Sequence, residues 1–412
     1  MNLYNIEELL VQQNPQWISK EIGAVGFERE IFGGFCQEIN KKKLILTLSG
    51  PRRSGKTFLL KQTMGYLAKK KHTPLENICY FQFSGSLNEK NIISTVLDLF
   101  LKKYAGPGRK YIFLDEIQYI DYWQDQIKSS YDLLGNVKFI VSGSTSLFYR
   151  QKSKESLAGR IFKCKLGGLN FHEYLRFKNI EEPSANRARF VSNLAIYKTE
   201  FKKYLAVGQY PEIVANPNLD PRKYIMDLSD QIINFDIPYF SAKINRQLFL
   251  SVVKTLSFDL AQEYSANNLA KILGADRRKI AEYVKILEEI NLFSVCHNGG
   301  FKSMRKKLSA SKKIYGLNLN LTLYLNGFDS SYLNDTRVFG RYFENYVFMR
   351  LLEKYGKIEY YRIGGEELDF VLPDAAFEIK SGANMKVNKY QELSLKLKKK
   401  FYLISEEEAY LM

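Results

Sequence analysis

The segment Gly50-Pro51-Arg52-Arg53-Ser54-Gly55-Lys56-Thr57 constrains this chain more than any other. It follows the apolar run Leu44–Leu48 and precedes a helical run over Phe58–Leu67, so a glycine-rich loop joins a strand to a helix. In that setting the pattern GxxxxGK[ST] has a physical purpose. Glycines let backbone N–H groups curl around phosphate oxygens where a side chain would collide, and the helix adds the positive end of its dipole. The expected ligand is ATP with Mg²⁺. Gly50 to Gly55, including Pro51, Arg52, Arg53 and Ser54, form the cradle, Lys56 reaches the β- and γ-phosphates, and Thr57 offers its hydroxyl to the metal.

The rest of the first third supports this setting. Ile78–Ser84, Tyr111–Glu116, Lys138–Ser144 and Ile161–Leu166 are further β-rich runs, separated by helical stretches such as Ile92–Lys103 and Trp123–Leu134. Strands alternating with helices of this length predict a parallel sheet covered on both faces. Tyr111–Glu116 ends in two acids. A carboxylate at the end of a buried strand needs compensation, and Mg²⁺ beside the phosphates supplies it for Asp115. Glu116, one residue on, is placed to orient and deprotonate the attacking water. The run ending at Ser144 closes in small polar residues, either a γ-phosphate sensor, with Ser144 favoured over Ser142, or a plain Ser/Gly turn.

Composition bounds the remainder. In 412 residues, 45% are apolar, which excludes wholesale disorder, and the length predicts two or three domains. No apolar run approaches the ~18 residues of a membrane helix, and the N-terminus lacks the pattern of a secretory signal. Four scattered cysteines and three histidines argue against a Cys/His zinc site and for a reduced, cytoplasmic setting. The 61 Lys+Arg against 44 Asp+Glu give +17, a field that favours phosphate-bearing partners.

Taken in order, GPRRSGKT, LDEIQYIDYWQDQIK, VSGSTS and ESLAGRIFKCKLGGLNFHEYL resemble the bacterial AAA-type P-loop ATPases of the ASCE class, over about residues 20–400. The resemblance implies a winged-helix region and a C-terminal domain of unknown function with a PD-(D/E)XK nuclease-like core. It also implies that Arg160 acts as a finger toward nucleotide. From the residues alone, an arginine at a strand entrance is a surface ion pair. Gly208–Glu212 resembles the family's glycine-to-proline segment in a helical lid, and alone reads as a helix-ending turn.

Two later regions carry chemistry. Ser265–Gly274 reads as a capped short helix stopped by glycine, after which Asp276 caps a second helix with Ile280, Val284, Leu287 and Ile290 on one face. Two helices joined by a short turn containing Gly form a helix-turn-helix. The second exposes Arg277, Arg278, Lys279 and Lys285, and the basic run Phe301–Lys313 suits a wing against nucleic-acid phosphates. Further on, Glu344 lies on an amphipathic helix. The runs Glu367–Leu372 and Phe377–Lys380 then form a hairpin that brings Asp369 beside Glu378, with Lys380 on the same face as Glu378. A divalent metal held by Asp369 and Glu378, with Glu344 near and Lys380 beside the attacking water, would compensate the buried charge.

The resulting expectation is an α/β protein. It has a P-loop NTPase domain with a parallel sheet over 1–168, a helical lid over 169–245, a winged helix-turn-helix over 246–325 and a nuclease-like α/β domain over 326–412. The expected function is ATP binding and hydrolysis coupled to nucleic-acid binding or metal-dependent DNA cleavage. The alternative is a non-cutting, ATP-dependent switch that binds DNA or a protein partner, or self-associates.

Overall fold

The computed structural model describes residues 3–23, 26–41, 44–87, 89, 91–144, 157, 159–237, 244–301, 303, 305, 310–382 and 387–412. The chain divides into two compact units, Met1–Gly168 and Leu169–Met412.

The first unit is a five-stranded sheet with helices around it. Its strands are β1 (Ile45–Ser49), β2 (Ile78–Gln82), β3 (Lys110–Asp115), β4 (Val137–Gly143) and β5 (Ile161–Lys165), in the order β2-β3-β4-β1-β5. Every described pairing in it is parallel. β1 is buried along its whole length, and β3 and β4 along all but their first residue, which explains their unbroken apolar runs. One face packs Leu46, Leu48, Phe113 and Ile140 against Leu59, Leu60 and Leu67 of the Lys56–Lys71 helix. The other packs Ile112, Leu114 and Val141 against Ile93, Val96 and Phe100 of the Ile92–Lys103 helix. Because β4 lies between β1 and β3, the loop after β1 and the acids after β3 flank the end of β4.

β2 borders the sheet, and side-chain amides finish it where a further strand would pair. Asn14 accepts the Tyr80 N–H at 2.8 Å and donates to the Tyr80 carbonyl at 2.7 Å. Gln13 accepts the Gln82 N–H at 2.6 Å, and Gln16 and the Trp17 indole both donate to the Ile78 carbonyl. Trp17 also stacks on Tyr104 and Phe100.

The second unit contains β6 (Glu263–Tyr264), β7 (Phe293–Asn298), β8 (Lys312–Gly316), β9 (Glu359–Ile363), β10 (Glu366–Val371), β11 (Ala375–Ile379) and β12 (Lys400–Ile404). These form a single sheet in the order β12-β11-β10-β9-β7-β8-β6. The parallel pairing of β7 with β9, His297 opposite Glu359, makes one sheet of segments read in the sequence as 246–325 and 326–412. The helices of 169–245 share the same core: Phe171, Phe201 and Tyr204 pack with Tyr346 and Tyr410.

Gln209, read from sequence as part of a turn, is buried and accepts the Leu319 N–H at 2.6 Å. Its own N–H donates to Asn320 at 2.7 Å, and Asn320 donates to the carbonyls of Tyr204 and Leu205. The Ala266–Leu273 and Arg277–Glu289 helices have the expected caps. Ser265 accepts the Asn268 N–H, Asp276 accepts from Arg278 and Lys279, and Gly274 takes φ +60° where a side chain would be strained. Ile280, Val284, Leu287 and Ile290 are all buried. Among the described residues, no helix is long and apolar enough to cross a membrane, and all four cysteines are free and buried.

Asn14 gives a test of the edge cap. Asn14→Ala strips partners from both backbone groups of Tyr80, and each buried group left unpaired costs about 1–3 kcal/mol. The first unit is expected to lose about 2–6 kcal/mol in urea unfolding followed by tryptophan fluorescence. Both tryptophans, Trp17 and Trp123, lie in that unit. A change below about 0.5 kcal/mol, the range of a neutral surface substitution, would show that the amides are not holding the edge.

Candidate nucleotide site and acidic pocket

The loop after β1 is fixed from both ends. Gly50 runs so close to the segment after β5 that a Cβ there would lie 2.1 Å from the Leu166 carbonyl oxygen. Gly55 takes φ +94° and Arg53 φ +62°, so the turn passes through left-handed backbone immediately before the Lys56–Lys71 helix begins. Arg29 is buried and braces the loop, donating to the Ser54 carbonyl at 2.8 Å and to the Gly167 and Gly168 carbonyls at 3.2 and 2.8 Å. Nothing in the spacing around Arg29 announces this role. The Lys56 ammonium folds back onto the Gly50 and Pro51 carbonyls at 3.1 and 2.9 Å. The buried Ser54 hydroxyl has no hydrogen-bond partner. Arg52 donates to the Tyr119 hydroxyl at 3.3 Å.

Asp115, at the end of β3, is fully buried. Its Oδ2 accepts from Thr57 Oγ1 at 2.6 Å and from the Tyr80 hydroxyl at 2.8 Å. Its Oδ1 accepts from the Ser142 hydroxyl and from the Glu116 N–H at 3.0 Å. All four of these donors are neutral. Burial, and then the Asp115 carboxylate itself, push the Tyr80 phenol well above its ordinary pKa, so it stays a donor. Tyr80 sits in the second apolar run of the sequence, where only the register of β2 on β3, Gln82 opposite Asp115, reveals it.

Glu116 follows in left-handed backbone at φ +54°. Its carboxylate accepts from the Gln118 amide, and Gln118 Oε1 accepts the Ser144 N–H at 3.1 Å. With Arg52, Gln82, Ser84 and Tyr119, Glu116 lines a cavity of about 630 Å³. Of the two serines considered from sequence, Ser142 touches Asp115 and Ser144 touches Gln118. Thr145 and Ser146, and Glu155, Ser156 and Ala158 of the following motif, lie outside the described residues.

Arg160 is placed elsewhere. It precedes β5, whose first residue pairs with Ile45 at the start of β1, so it lies at the end of the sheet opposite the loop that follows Ser49. It is partly exposed, 3.4 Å from Asp132 and over the Tyr131 ring. Within one copy of the chain it faces away from the glycine loop.

The C-terminal acids meet in the second unit. β10 and β11 pair antiparallel with Phe370 opposite Phe377, which sets Asp369 opposite Glu378. A register shift between Leu368 and Val371 on the β9 side re-aims Asp369, whose Oδ2 accepts the Ile379 N–H at 2.8 Å. Lys380 Nζ lies 2.6 Å from Glu378 Oε1 and over the Tyr390 ring. Glu378 is buried, and its Oε2 has no partner. A cavity of about 330 Å³ is lined by Glu367, Asp369, Glu378, Lys380, Lys389 and Tyr390, among others.

Glu344 comes close on the Thr336–Tyr355 helix, which Asn345 anchors by exchanging two hydrogen bonds with the Gly316 backbone. Burial, then the Asp369 charge, raise Glu344 and Glu378 each to about 7, and burial raises Asp369 as well. Sequence reasoning missed Lys313. This buried lysine of β8 lies 3.0 Å from Glu367, 3.3 Å from Glu344 and 3.9 Å from Asp369. In the sequence it ends the run expected to form a basic wing, of which 302, 304 and 306–309 lie outside the described residues.

Comparison with known proteins agrees with the first site. The family described as an AAA domain matches residues 42–175. This part of the chain is an AAA-like P-loop ATPase domain. A domain of unknown function (DUF8612) matches residues 198–332. An uncharacterized protein of Haemophilus influenzae is 25% identical over 337 residues, 79% of each chain. Another, of Methanocaldococcus jannaschii, is 27% identical over 350 residues, 81% of this chain and 72% of its own. Among solved structures, a Walker-type ATPase of Pyrococcus abyssi aligns over 73% of this chain and 96% of its own, with a TM-score of 0.47 and 12% identity.

The close approach at Gly50 can be tested directly. Gly50→Ala puts a methyl group against the Leu166 carbonyl and must displace the loop. Binding of a fluorescent ATP analogue is expected to weaken at least ~10-fold, about 1.4 kcal/mol. Unchanged affinity would mean that the cradle does not depend on this close approach.

Proposed function

We propose that the chain binds ATP with Mg²⁺ and hydrolyses it in the first unit, and that the second unit engages nucleic acid. One observation carries the first part: Thr57 and Asp115 are hydrogen-bonded to each other beside a strand–loop–helix turn whose buried Ser54 hydroxyl has no partner. The residues fit the group. Backbone N–H groups of Gly50–Gly55 bind phosphate oxygens, and Lys56 exchanges the Gly50 and Pro51 carbonyls for the β- and γ-phosphates. Thr57 and Asp115 would hold Mg²⁺, which supplies charge neutralisation on the phosphate oxygens when bound. Tyr80 and Ser142 keep the Asp115 carboxylate in one orientation. Glu116 takes the proton of the attacking water, with Gln118 setting its rotamer and Ser144 at the other end of the same bridge. Arg160 has no part in hydrolysis within one copy; a role toward the nucleotide of a neighbouring copy requires self-association.

In the second unit we read the Arg246–Phe258, Ala266–Leu273 and Arg277–Glu289 helices with β6, β7 and β8 as a winged helix-turn-helix. Arg277, Arg278, Lys279 and Lys285 are all exposed on the second helix of the pair and suit phosphate contact. Asp369 and Glu378 line one polar cavity with Lys380, and the second oxygen of Glu378 is buried and unpartnered; this supports a divalent cation held by these two acids, with Glu344 beside Asp369. When bound, the ion would activate water for phosphodiester cleavage. Lys380 lies where it can neutralise charge beside that water. The second reading, a switch that holds DNA or a protein without cutting, is favoured by the two lysines already paired to these acids. Mn²⁺-dependent cleavage of DNA separates the two readings.

Two outcomes are expected. Lys56→Ala abolishes ATP binding. Glu116→Gln keeps binding and lowers phosphate release by ~10²–10³, the usual cost of one transition-state interaction. Wild-type turnover in Glu116→Gln would remove Glu116 from the chemistry. For the second unit, DNA binding is expected to weaken steeply with salt. In the Arg277→Ala/Arg278→Ala double variant the log–log slope should shrink by ~0.9 for each phosphate that the helix no longer neutralises. An unchanged slope would place the DNA surface elsewhere.

A further inference from the structure

Hydrolysis with Glu116 as base leaves one charge unmet. As the bond to the leaving phosphate breaks, negative charge gathers on the γ-phosphoryl oxygens, and P-loop enzymes meet it with an arginine from the same chain or from a neighbour. Arg160 lies at the other end of the sheet, 3.4 Å from Asp132.

Arg52 is placed differently. It is the third residue of the Gly50–Thr57 loop, and its guanidinium donates to the Tyr119 hydroxyl at 3.3 Å. Tyr119 ends the short Ile117–Tyr119 turn that follows Glu116, so the Arg52 side chain crosses from the loop to the segment carrying the proposed base. Arg52, Glu116 and Tyr119 line the same cavity of about 630 Å³. Among the described residues, no other member of the glycine loop lines it, and Arg52 is its one cationic side chain.

The γ-phosphate belongs on this side of the loop. Thr57 and Asp115, read as holding Mg²⁺ beside the β- and γ-phosphates, are 2.6 Å apart, and Glu116 is the next residue after Asp115. The attacking water must lie between the Glu116 carboxylate and the γ-phosphorus, so a guanidinium that shares a cavity with that carboxylate is on the side of attack. The Tyr119 hydroxyl is a neutral acceptor. A phosphate oxygen is a stronger one, and the planar fork of arginine can take two of them.

Resting on the reading of Glu116 as the base for ATP hydrolysis, we propose that Arg52 is a catalytic residue of the same reaction. Its guanidinium leaves Tyr119 and binds the γ-phosphoryl oxygens as the transition state forms. In that step the water oxygen bonds to the γ-phosphorus while the bond from phosphorus to the bridging oxygen breaks, its electron pair leaving with ADP. Glu116 takes the proton of the water, and inorganic phosphate departs. Arg52 exchanges no proton and meets the charge on the transferred group. The first unit thereby carries its own arginine, and turnover needs none from a second copy.

The test separates binding from turnover in the full-length chain. Phosphate release is measured at saturating ATP and Mg²⁺, affinity with a fluorescent ATP analogue, and transition-state binding by retention of labelled ADP with aluminium fluoride. Arg52→Ala is expected to bind ATP within about threefold of wild type and to release phosphate ~10²–10³-fold more slowly. It is also expected to lose the ADP–aluminium fluoride complex. Arg52→Lys, which keeps a point charge without the fork, recovers part of the rate. Wild-type rate per chain stays constant on dilution. Wild-type turnover in Arg52→Ala would overturn the inference and leave the hydrolysis reading standing. So would a loss confined to ATP affinity, which would make Arg52 a ground-state phosphate contact. A rate per chain that falls on dilution, or a loss of rate in Arg160→Ala with none in Arg52→Ala, would overturn it by placing the arginine in a second copy. No phosphate release from wild type would overturn the hydrolysis reading itself, and this inference with it. If Arg52→Ala does not fold, by circular dichroism, Arg52→Gln replaces it.

Discussion

The first unit is organised by one carboxylate. Asp115 places an acid at a fully buried position, a situation that costs several kcal/mol unless the group is fully hydrogen-bonded. The chain meets that cost by bringing donors from four places: the helix after the glycine loop (Thr57), β2 (Tyr80), β4 (Ser142) and the backbone turn at Glu116. All but the Glu116 N–H, which is the next residue in the chain, are available only because of the strand order. With β4 between β1 and β3, Ser142 lies beside Asp115 and the helix of Thr57 can reach it from beyond. The same hydrogen bonds therefore fix the end of the sheet and assemble the proposed phosphate site, and a change that disturbs one disturbs the other.

How much of this could be read from sequence follows from how local each feature is. The glycine loop is eight consecutive residues, and its conformational demands, φ +94° at Gly55 and the near contact at Gly50, fall on residues that only glycine satisfies well. Asp115 is visible because an acid ending an apolar run is conspicuous. Tyr80 is not, since a tyrosine in a buried strand is ordinarily core and only the pairing of β2 with β3 brings its hydroxyl to the carboxylate. Arg29 and Asn14 act across 25 and 66 residues of chain and carry no local pattern at all.

In the second unit the hairpin alternation correctly sets Glu378 and Lys380 on one face, because period two is a local property of a strand. The parallel pairing of β7 with β9 is not legible in the sequence, and the place of Lys313 is hidden for that reason. It lies in a run rich in lysine, where a solvated basic loop is the natural expectation. Sheet formation instead turns Lys313 inward, beneath the helix that carries Glu344. One residue earlier, Lys312 falls on the other face of β8 and is more exposed. A shift of one residue in register would exchange the two and leave the acids without their cation.

The two units thus solve the same electrostatic problem in opposite ways, with different consequences for metal. Around Asp115 the hydrogen-bond donors are neutral, and the proposed site would offer a cation one carboxylate and one hydroxyl, those of Asp115 and Thr57. Mg²⁺ keeps several waters and is held in such places by one or two carboxylates together with substrate phosphates. On the proposed reading the ion would therefore arrive with the nucleotide, and Thr57 and Asp115, bonded to each other, would have to part to receive it. Around Asp369 the compensation comes from lysines, which lower the attraction for metal, and the buried Lys313 cannot be displaced without leaving an ammonium stranded in the protein interior. Four carboxylates close together would hold a divalent ion firmly. With Lys313 and Lys380 among them, the pocket is able to stay folded without metal, and on the proposed reading its hold on an ion would rest on what the lysines leave over, chiefly the second oxygen of Glu378.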